Sequence, residues 1–518
     1  MAKKLLRVIF SKRFILILLG LIQIGFFVLL AVLFATQGVL AYTVITIFSV
    51  LILMGVLSKD DLNPAYKLIW VLVFVLMPVV GALFYLMWGH RHVPKKKRRA
   101  MDEIEQNVQA VLPLNQEVLS ALRQDDRILY SSAKYLTDFA MSPVYPADGI
   151  EYYPLGQDFF PPFLEALRNA KKYIYMQYYI MEEGVMLNTT IDILREKAAQ
   201  GVDVRVIWDG FGCLLTLPED FDKKLEAMGI KCAVFSPIEL TIHVTDYAML
   251  NHRDHSKVTV VDGEIGFSGG LNFADEYINV KERFGEWKDT TVMVRGEAAT
   301  SLAAIFLISW DFITGQRTDF SAYIPPPQPH PMLSLGHGYV QPYWDSPLDI
   351  ENISENAYLN IINHASDYVY ISTPYLILDH EMITNLCLSA KSGVDVRILT
   401  PGIPDKPTVY LVTQSYYPVL LRAGVRIYEY TPGFNHAKMY VSDDKTAIVG
   451  SANMDYRSLY LHFENSVAFY GGPVISCIKE DMLSCFSRSH EVTLEETRQI
   501  PLHRRFAQIV AKFLAPMM

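Results

Sequence analysis

A polar pattern that occurs twice constrains the fold of this chain more than any other feature. The pattern is H-x-K-x4-D-x6-G-x-x-N, and its second copy begins 181 residues after the first. The two copies consist of His255, Lys257, Asp262, Gly269 and Asn272, and of His436, Lys438, Asp443, Gly450 and Asn453. Because every internal spacing is kept, we expect two halves with the same fold that present the same polar groups.

Each copy lies in a longer repeat of apolar and helix-like stretches. The pentapeptide Gly-Val-Asp-Val-Arg begins at Gly201 and again at Gly393, and in each half it follows a strand-like and a helix-like stretch. Strands that alternate with helices predict an α/β fold with a largely parallel sheet covered on both faces. A carboxylate, Asp289 or Glu464, begins a further predicted strand in each half.

Composition divides the chain into segments. We predict a membrane anchor at 1–99, a polar helical stalk at 100–149, a first half at 150–322 and a second half at 333–498. Residues 323–332 contain five prolines, which predicts a stiff, extended linker. Residues 499–518 predict an amphipathic C-terminal helix, and the sequence leaves open whether this helix lies at a membrane interface or packs on the body.

The anchor contains three apolar runs without charged residues, at 14–35, 38–57 and 68–88. Each run is long enough to cross a hydrocarbon core of about 30 Å, although buried core helices are an alternative. Basic clusters flank the anchor on both sides, and the positive-inside rule places both in the cytoplasm, which needs an even number of crossings. Three runs are an odd number, so the number of crossings stays open. We favour a multi-pass protein of the cell membrane with a cytoplasmic body.

The distribution of charge and cysteine argues against several classes of protein. Residues 1–99 hold 13 Lys and Arg against 2 Asp and Glu, whereas the rest of the chain has a net charge of −20. An acidic body does not suit a nucleic-acid partner, since phosphate backbones are bound by Lys and Arg. The five cysteines are scattered, so we expect neither a disulfide framework nor a thiolate zinc site.

The repeated polar groups suit the chemistry of a phosphodiester. Residues two apart in a strand face the same side, so each half presents its histidine and lysine together. The lysines, with Asn272 and Asn453, are candidates for binding the phosphate oxygens, where negative charge develops. One neutral histidine can attack phosphorus while a protonated histidine donates to the leaving oxygen. Asp289 and Glu464 are candidates for orienting the two imidazoles.

Other candidate residues have an alternative interpretation from the sequence. Asp262 and Asp443 are candidate catalytic residues, but a turn-capping role is an equal alternative. Ser451 is a candidate substrate-binding group whose counterpart is Gly270, so we expect the two halves to have unequal tasks. We expect no bound metal, because two ammonium groups can substitute for a divalent charge.

The duplicated pattern resembles the phospholipase D superfamily, and the chain as a whole resembles the bacterial cardiolipin synthase family. Further likeness lies in the segments 63–70, 85–89, 251–257, 287–290 and 513–516. The resemblance implies two pseudo-symmetric α-β-α sandwich halves that share one active site, without a cofactor. It also implies that a phosphatidyl group passes from one phosphatidylglycerol to another in the bilayer, giving cardiolipin and glycerol.

The same resemblance implies that His255 is the nucleophile of a phosphatidyl-histidine intermediate and that His436 is the general acid and then the base. The sequence alone is symmetric and does not distinguish the two histidines. The alternatives are a phospholipase D-type hydrolase, a phosphatidylserine synthase and, less favoured, a nuclease. The sequence also leaves open whether the protein forms a homo-oligomer.

Overall fold

The computed structural model describes residues 21, 25, 37–59, 63–77, 81–82, 85, 95–112, 115–237, 251–324, 333–349 and 351–517. Most of the predicted apolar run 14–35 and most of the predicted linker 323–332 lie outside these residues. The chain divides into two compact units. The first consists of Met1–Pro94, Glu239–Asn251 and Pro516–Met518, and the second of Lys95–Ile238 and His252–Ala515.

The first unit contains two described apolar helices, α1 (Gln37–Leu57) and α2 (Pro64–Leu76). Asn63 begins α2, because its side-chain oxygen accepts a hydrogen bond from the Ala65 N–H at 3.0 Å and Pro64 suits the first turn. Buried apolar residues form a small core in this unit: Val56, Trp70, Phe74, Ala82 and Tyr85. Helix α1 covers the predicted apolar run 38–57, and α2 overlaps the first part of the predicted run 68–88.

Among the described residues, one helix is long and apolar enough to cross a membrane, namely Glu297–Thr314. Most of this helix is buried inside the second unit, so its composition is that of a core helix. Shorter apolar stretches lie at Tyr42–Leu57 and Pro64–Leu76. The membrane crossings of the anchor therefore stay a prediction.

The first half of the second unit is built around a seven-stranded sheet with the order β2-β10-β8-β7-β3-β4-β5. The strands of this half are β1 (Tyr145–Pro146), β2 (Glu151–Tyr153), β3 (Tyr173–Tyr178), β4 (Asp203–Asp209), β5 (Lys231–Phe235), β6 (Arg253–Asp254), β7 (Val258–Val261), β8 (Ile265–Gly269), β9 (Glu286–Lys288) and β10 (Thr291–Arg295).

The second half repeats this sheet in the order β11-β18-β17-β16-β12-β13-β14, with β1 and β19 added at the two edges. Its strands are β11 (Tyr339–Asp345), β12 (Tyr368–Ser372), β13 (Asp395–Pro401), β14 (Arg426–Tyr430), β15 (Gly433–Asn435), β16 (Met439–Ser442), β17 (Thr446–Gly450), β18 (His462–Tyr470) and β19 (His490–Val492). The seven-strand orders correspond strand for strand, which agrees with the internal repeat in the sequence.

The prediction of a largely parallel sheet is wrong for both halves. Within the seven-strand order of each half, parallel pairing among the described residues is confined to β3, β4 and β5 and likewise to β12, β13 and β14. The strands that carry the repeated pattern pair antiparallel with their neighbours. The reason is the short turn between β7 and β8, where Asp262 and Gly263 have positive φ angles. A connection of this length can form only a hairpin, since a parallel crossover needs a dozen or more residues.

Helices cover the two sheets and connect their strands. The helices are α3 (Lys95–Gln109), α4 (Gln116–Asp125), α5 (Arg127–Phe139), α6 (Gly156–Asn169), α7 (Val185–Ala199), α8 (Phe221–Ala227), α9 (Glu297–Thr314), α10 (Ile353–His364), α11 (His380–Lys391), α12 (Pro407–Ala423), α13 (Tyr456–Tyr460), α14 (Pro473–Ser487), α15 (Leu494–Arg498) and α16 (Leu502–Leu514). Short 3-10 turns follow at Phe320–Ala322 and Ala515–Met517.

The segment predicted as a polar stalk is part of the globular body. In α3, Met101 and Val108 are buried. In α5, the Tyr135 hydroxyl donates to Glu351 at 2.7 Å, and the Ala133 carbonyl accepts from the Gln341 side chain at 3.0 Å. The regularly spaced apolar residues of these helices therefore pack against the body. The prediction of a stalk was based on the polar composition of the segment and did not consider this spacing.

Two short strands join the halves. Strand β6 pairs in parallel with β18 of the other half, and β15 pairs in parallel with β9. Each short strand comes directly before a histidine of the repeated pattern. The two crossed pairings therefore hold the two copies of the pattern against each other.

Candidate active site

The backbone of each repeated histidine is fixed by the opposite half. The His255 N–H donates to the Phe463 carbonyl at 2.8 Å, and the His436 N–H donates to the Lys288 carbonyl at 2.7 Å. These bonds continue the pairings of β6 with β18 and of β15 with β9. The pseudo-symmetry of the fold thus places both histidines at the junction of the two halves.

Each imidazole is also bound to a carboxylate of the opposite half. Nδ1 of His255 lies 2.9 Å from both carboxylate oxygens of Glu464, and Nδ1 of His436 lies 2.5 Å from Oδ2 of Asp289. Both carboxylates are completely buried. A neutral imidazole that donates through Nδ1 keeps its lone pair on Nε2, so these carboxylates set the tautomer of each ring.

The two lysines lie beside the histidines, as the strand spacing predicts. Nζ of Lys257 donates to the His255 carbonyl at 2.5 Å. Nζ of Lys438 donates to the His436 carbonyl and lies 3.0 Å from Nε2 of that ring. Both lysines are buried, so their charges act in a medium where water screens them weakly.

Burial and mutual repulsion shift the pKa values of these groups. Burial, with the Lys257 and Lys438 charges, lowers the pKa of His255 well below its ordinary value. Burial and Lys438 lower the pKa of His436 to about 4, although Asp289 partly offsets the shift. Burial lowers the pKa of Lys257 to about 7 and that of Lys438 to about 8. The site therefore disfavours several positive charges at once, and a bound anion would relieve this repulsion.

Ser451 and its counterpart Gly270 differ for a steric reason. A Cβ atom at Gly270 would lie 2.1 Å from Oδ1 of Asp289, so only glycine fits beside the shorter carboxylate. Ser451 instead donates to Oε2 of Glu464 at 2.5 Å. The structure thus places the Ser451 hydroxyl on the carboxylate that orients His255.

The two asparagines of the pattern have different surroundings. Asn272 is engaged within its own half, because its oxygen accepts from the Ile180 N–H at 3.1 Å and its amide group donates to the Tyr277 hydroxyl at 2.8 Å. The side-chain oxygen of Asn453 is buried and has no hydrogen-bond partner among the described residues. Asn453 is therefore the asparagine with an acceptor atom left for a ligand.

The structure does not bring Asp262 and Asp443 to the histidines through any hydrogen bond between described residues. The Asp262 carboxylate accepts from three consecutive backbone N–H groups, those of residues 171–173, at 2.6–2.8 Å. Asp443 accepts in the same way from residues 366–368 at 2.7–3.0 Å. Their contacts correspond to the capping alternative, in which each aspartate fixes the start of the neighbouring strand, β3 or β12.

Two aromatic residues lie beside the histidines. His462 was not identified from the sequence, and Trp287 was noted only as part of the segment 287–290 that resembles the family. The ring of His462 lies 5.5 Å from that of His255, and the ring of Trp287 lies 5.6 Å from that of His436. Each stands two residues before the orienting carboxylate of its own half. Aligning the two halves on Asp289 and Glu464 would have shown that His462 and Trp287 occupy equivalent positions.

One group of side chains in the site could hold a metal ion. Among the described residues, ligand atoms of His255, His462 and Glu464 lie within 4.8 Å of one another, as do those of Glu355, Asp379 and Glu381 elsewhere. In the first group, Glu464 already binds His255 and Ser451. The ammonium group of Lys257 nearby opposes a divalent cation, so this arrangement favours an anion.

Comparison with known proteins identifies the family. Residues 163–301 and 358–485 match the family model described as cardiolipin synthase, PLD-like domain. Residues 41–90 match the model described as phospholipase D-nuclease N-terminal. A cardiolipin synthase of Alkalihalophilus pseudofirmus is 32% identical over 96% of this chain and 99% of that protein. The chain belongs to the cardiolipin synthase family.

Other similar proteins agree with this family. A cardiolipin synthase of Geobacillus kaustophilus is 32% identical over 92% of this chain and 94% of its own length. An uncharacterized protein of Streptococcus mutans is 42% identical over 89% of this chain and 98% of its own length. The predicted membership is confirmed, and the protein is an enzyme of the phosphatidyltransferase type.

A solved structure supports the fold. The phosphatidylserine synthase of Haemophilus influenzae matches with a TM-score of 0.58 at 15% identity, over 75% of this chain and 100% of that chain. At this identity the likeness concerns the fold alone. It agrees with the predicted α/β fold class, although the sheets are mixed and not largely parallel.

The contacts of Asp262 and Asp443 generate a prediction about stability. Asp262→Ala and Asp443→Ala each remove the acceptor of three backbone N–H groups, so each should lower the free energy of unfolding by about 1–3 kcal/mol. Phosphatidyl transfer per folded molecule should stay near that of the wild type. Chemical denaturation and a transfer assay measure the two effects separately.

Asp262→Asn is the matched control, because asparagine keeps one acceptor oxygen and tolerates positive φ. It should lose less stability than Asp262→Ala. A variant that folds with wild-type stability but has lost transfer activity would instead restore a catalytic role for the aspartate.

Proposed function

We propose that this protein makes cardiolipin by transferring a phosphatidyl group from one phosphatidylglycerol to the terminal hydroxyl of another. The observation that carries the proposal is the pair of imidazoles, each bound to a buried carboxylate of the opposite half and accompanied by a buried lysine. Membership in the cardiolipin synthase family supports the same reaction.

In the first step, Nε2 of His255 attacks phosphorus and the bond from phosphorus to the glycerol oxygen breaks. His436 donates a proton to that oxygen, and glycerol leaves. Lys257 and Lys438 balance the charge on the phosphoryl oxygens. The product of this step is a phosphatidyl-histidine at residue 255. Its imidazolium N–H is stabilised by Glu464.

In the second step, His436 accepts the proton of the terminal hydroxyl of a second phosphatidylglycerol. The hydroxyl oxygen attacks phosphorus and the bond from phosphorus to Nε2 of His255 breaks, which releases cardiolipin. Asn453 is the asparagine whose free acceptor atom suits a hydroxyl of either lipid. Exclusion of water favours transfer to the second phosphatidylglycerol, because water would hydrolyse the same phosphatidyl-histidine.

Unequal surroundings support these unequal roles. Asp289 raises the pKa of His436 against the stronger effect of burial, so this imidazole takes up a proton more readily when an anionic phosphodiester binds. The charges of Lys257, Lys438 and His436 act together with burial to keep His255 neutral. A neutral imidazole is the form that attacks phosphorus.

For location, we propose a multi-pass protein of the cell membrane whose catalytic body faces the cytoplasm. The apolar runs 14–35, 38–57 and 68–88 and the basic clusters around the anchor support this proposal. The family match over residues 41–90 shows that this segment recurs in related proteins. Its helices α1 and α2 are predominantly apolar in sequence.

The experiment that tests the function uses the purified full-length protein with phosphatidylglycerol as its only substrate, in excess EDTA. We expect cardiolipin and glycerol in equal amounts, without a nucleotide, because the two lysines supply the positive charge. Mass spectrometry measures cardiolipin in the lipid extract and glycerol in the aqueous phase. Phosphatidic acid as the main lipid product would instead identify a hydrolase, and activity restored only by a divalent ion would contradict the metal-free mechanism.

Replacing each histidine should separate the two roles. His255→Ala should abolish transfer and leave no covalent phosphatidyl adduct. His436→Ala should lose about 10²–10⁴-fold in rate with phosphatidylglycerol, but less with a donor whose leaving group needs no proton, such as phosphatidyl-p-nitrophenol.

Asp289→Asn is the matched milder variant, because it removes only the charge beside His436, and it should show the same dependence on the leaving group. Mass spectrometry at neutral pH detects the acid-labile adduct. An adduct on His436 in the His255→Ala protein would reverse the assignment.

A further inference from the structure

Helix α16 packs on the body with its polar side. Arg504 donates to the Gln414 side chain at 2.7 Å, and Nζ of Lys512 lies 4.1 Å from the centre of the Tyr416 ring on α12. Gln508, one turn from each of these residues, is buried. The side that packs is therefore formed by positions 504, 508 and 512, which repeat every four residues along one face.

The opposite face of α16 is apolar and exposed. Phe506 and Ile509 are 68% and 62% exposed, and they belong to a continuous stripe of large apolar residues: Leu502, Phe506, Ile509, Val510, Phe513 and Leu514. A helix that served only to pack on the body would bury this stripe and expose its charges. A contiguous apolar surface of this kind marks an interaction site.

The charge of the helix indicates what covers this stripe. Residues 502–514 contain Arg504, Arg505 and Lys512 and no Asp or Glu. Arg498, one turn before the helix, is paired with Glu495 at 3.6 Å and adds no unbalanced charge. A second copy of the same cationic surface would be repelled, whereas an anionic lipid surface would be attracted. Arg505 is exposed, so its charge is available to lipid headgroups, whereas Arg504 is held by Gln414 on the body.

We propose that α16 lies on an anionic lipid surface, with its apolar stripe at the boundary between headgroups and acyl chains. The helix is then a second membrane contact of the protein, separate in sequence from the apolar anchor. This proposal concerns the surface that holds the body and does not depend on which lipid product the enzyme makes.

Lipid-borne fluorescence quenching tests this contact in the full-length protein. Ile509→Cys, combined with Cys477→Ser because Cys477 is exposed, is labelled with bimane and reconstituted into phosphatidylglycerol-containing vesicles. We expect quenching by doxyl-labelled lipid and protection from aqueous iodide. Lys224→Cys on α8 is the matched exposed control and should be quenched by iodide only, and the Cys477→Ser parent gives the background.

Quenching of the residue 509 label by iodide alone would overturn the proposal. Protection from both quenchers, together with a residue 509 crosslink between two chains, would overturn it in favour of a second copy. Phe506→Cys provides a second label on the stripe if Ile509→Cys unfolds. Quenching by doxyl-labelled lipid, quenching by iodide alone and protection from both are all measured without catalysis. A failure of this proposal is therefore distinguishable from a failure of the proposed reaction.

A second inference rests on the difference between His462 and Trp287. The pairing of β6 with β18 sets His462 opposite Arg253, and the pairing of β9 with β15 sets Trp287 opposite Phe434. At this position the ring beside His436 is an indole, whereas the ring beside His255 is a titratable imidazole. Positions 287 and 462 are equivalent in the two halves, but their side chains differ in chemistry.

The tautomer of His462 follows from its neighbour Arg457. Nε of Arg457 donates to Nε2 of His462 at 3.2 Å, so the neutral ring carries its proton on Nδ1. Nδ1 is buried, has no hydrogen-bond partner among the described residues, and lies 3.7 Å from Oε1 of Glu464. That distance is too long for a hydrogen bond, but a small movement of the ring would form one.

We infer that His462 is a positioning residue for His255 and acts through Glu464. Its Nδ1–H faces the carboxylate and draws negative charge away from His255, which keeps the attacking imidazole neutral. The charged and titratable groups facing His462 are Glu464, His255 and Arg457. This role rests on the proposed function, because it assigns His255 as the nucleophile.

The test compares a variant that keeps a donor with one that removes it. His462→Phe removes the His462 N–H from Glu464 and leaves this carboxylate to His255 and Ser451. The pKa of His255 should therefore rise, and the acid limb of kcat/KM should move up by about 1 pH unit. His462→Asn keeps an N–H donor and should hold the limb near that of the wild type. Rates of phosphatidyl transfer from phosphatidylglycerol between pH 4 and 8 measure both.

An unmoved limb in His462→Phe, with only a lower rate or stability, would show a merely structural role and overturn the inference. Equal shifts in both variants would also overturn it, since the donor would then not matter. His462→Leu removes the same donor if the phenylalanine variant does not fold. A wild-type protein that transfers no phosphatidyl group would instead refute the proposed function.

Discussion

The crossed bonds between imidazoles and carboxylates are the interaction on which the site depends. Glu464 of the second half holds His255, and Asp289 of the first half holds His436. Neither half contains a complete orienting pair of its own. The pairings of β6 with β18 and of β15 with β9 bring each partner into place. Duplication thus gives this chain one site made from two halves.

Burial of like charges determines the electrostatics of this site. Two lysines and two histidines are buried together, and this lowers the pKa of each of them. Such a cluster is costly without an anion, because low dielectric strengthens the repulsion. Asp289 and Glu464 offset part of this positive charge, and a bound phosphodiester adds further negative charge beside the lysines. The repulsion therefore destabilises the empty site and favours binding of an anionic substrate, as in other functional sites where pKa values are strongly shifted.

Small departures from symmetry give the two halves different chemistry. The shorter carboxylate Asp289 requires Gly270 beside it, whereas Glu464 leaves room for Ser451. At the next equivalent position, an aromatic Trp287 corresponds to a polar His462. The two histidines therefore share a fold and a hydrogen-bonding scheme but not an environment. A transfer with one attacking and one proton-donating imidazole needs this inequality.

The sequence by itself determined the duplication, the candidate histidines and lysines, and the carboxylates Asp289 and Glu464, because residue types at fixed spacing are local information. Only the tertiary structure decided that each carboxylate serves the histidine of the other half, since that pairing joins residues 147 and 209 positions apart. It likewise gave Asp262 three backbone N–H partners, packed the predicted stalk on the body, and turned the apolar face of α16 outward. These outcomes depend on strand pairing and burial, which no spacing along the chain specifies.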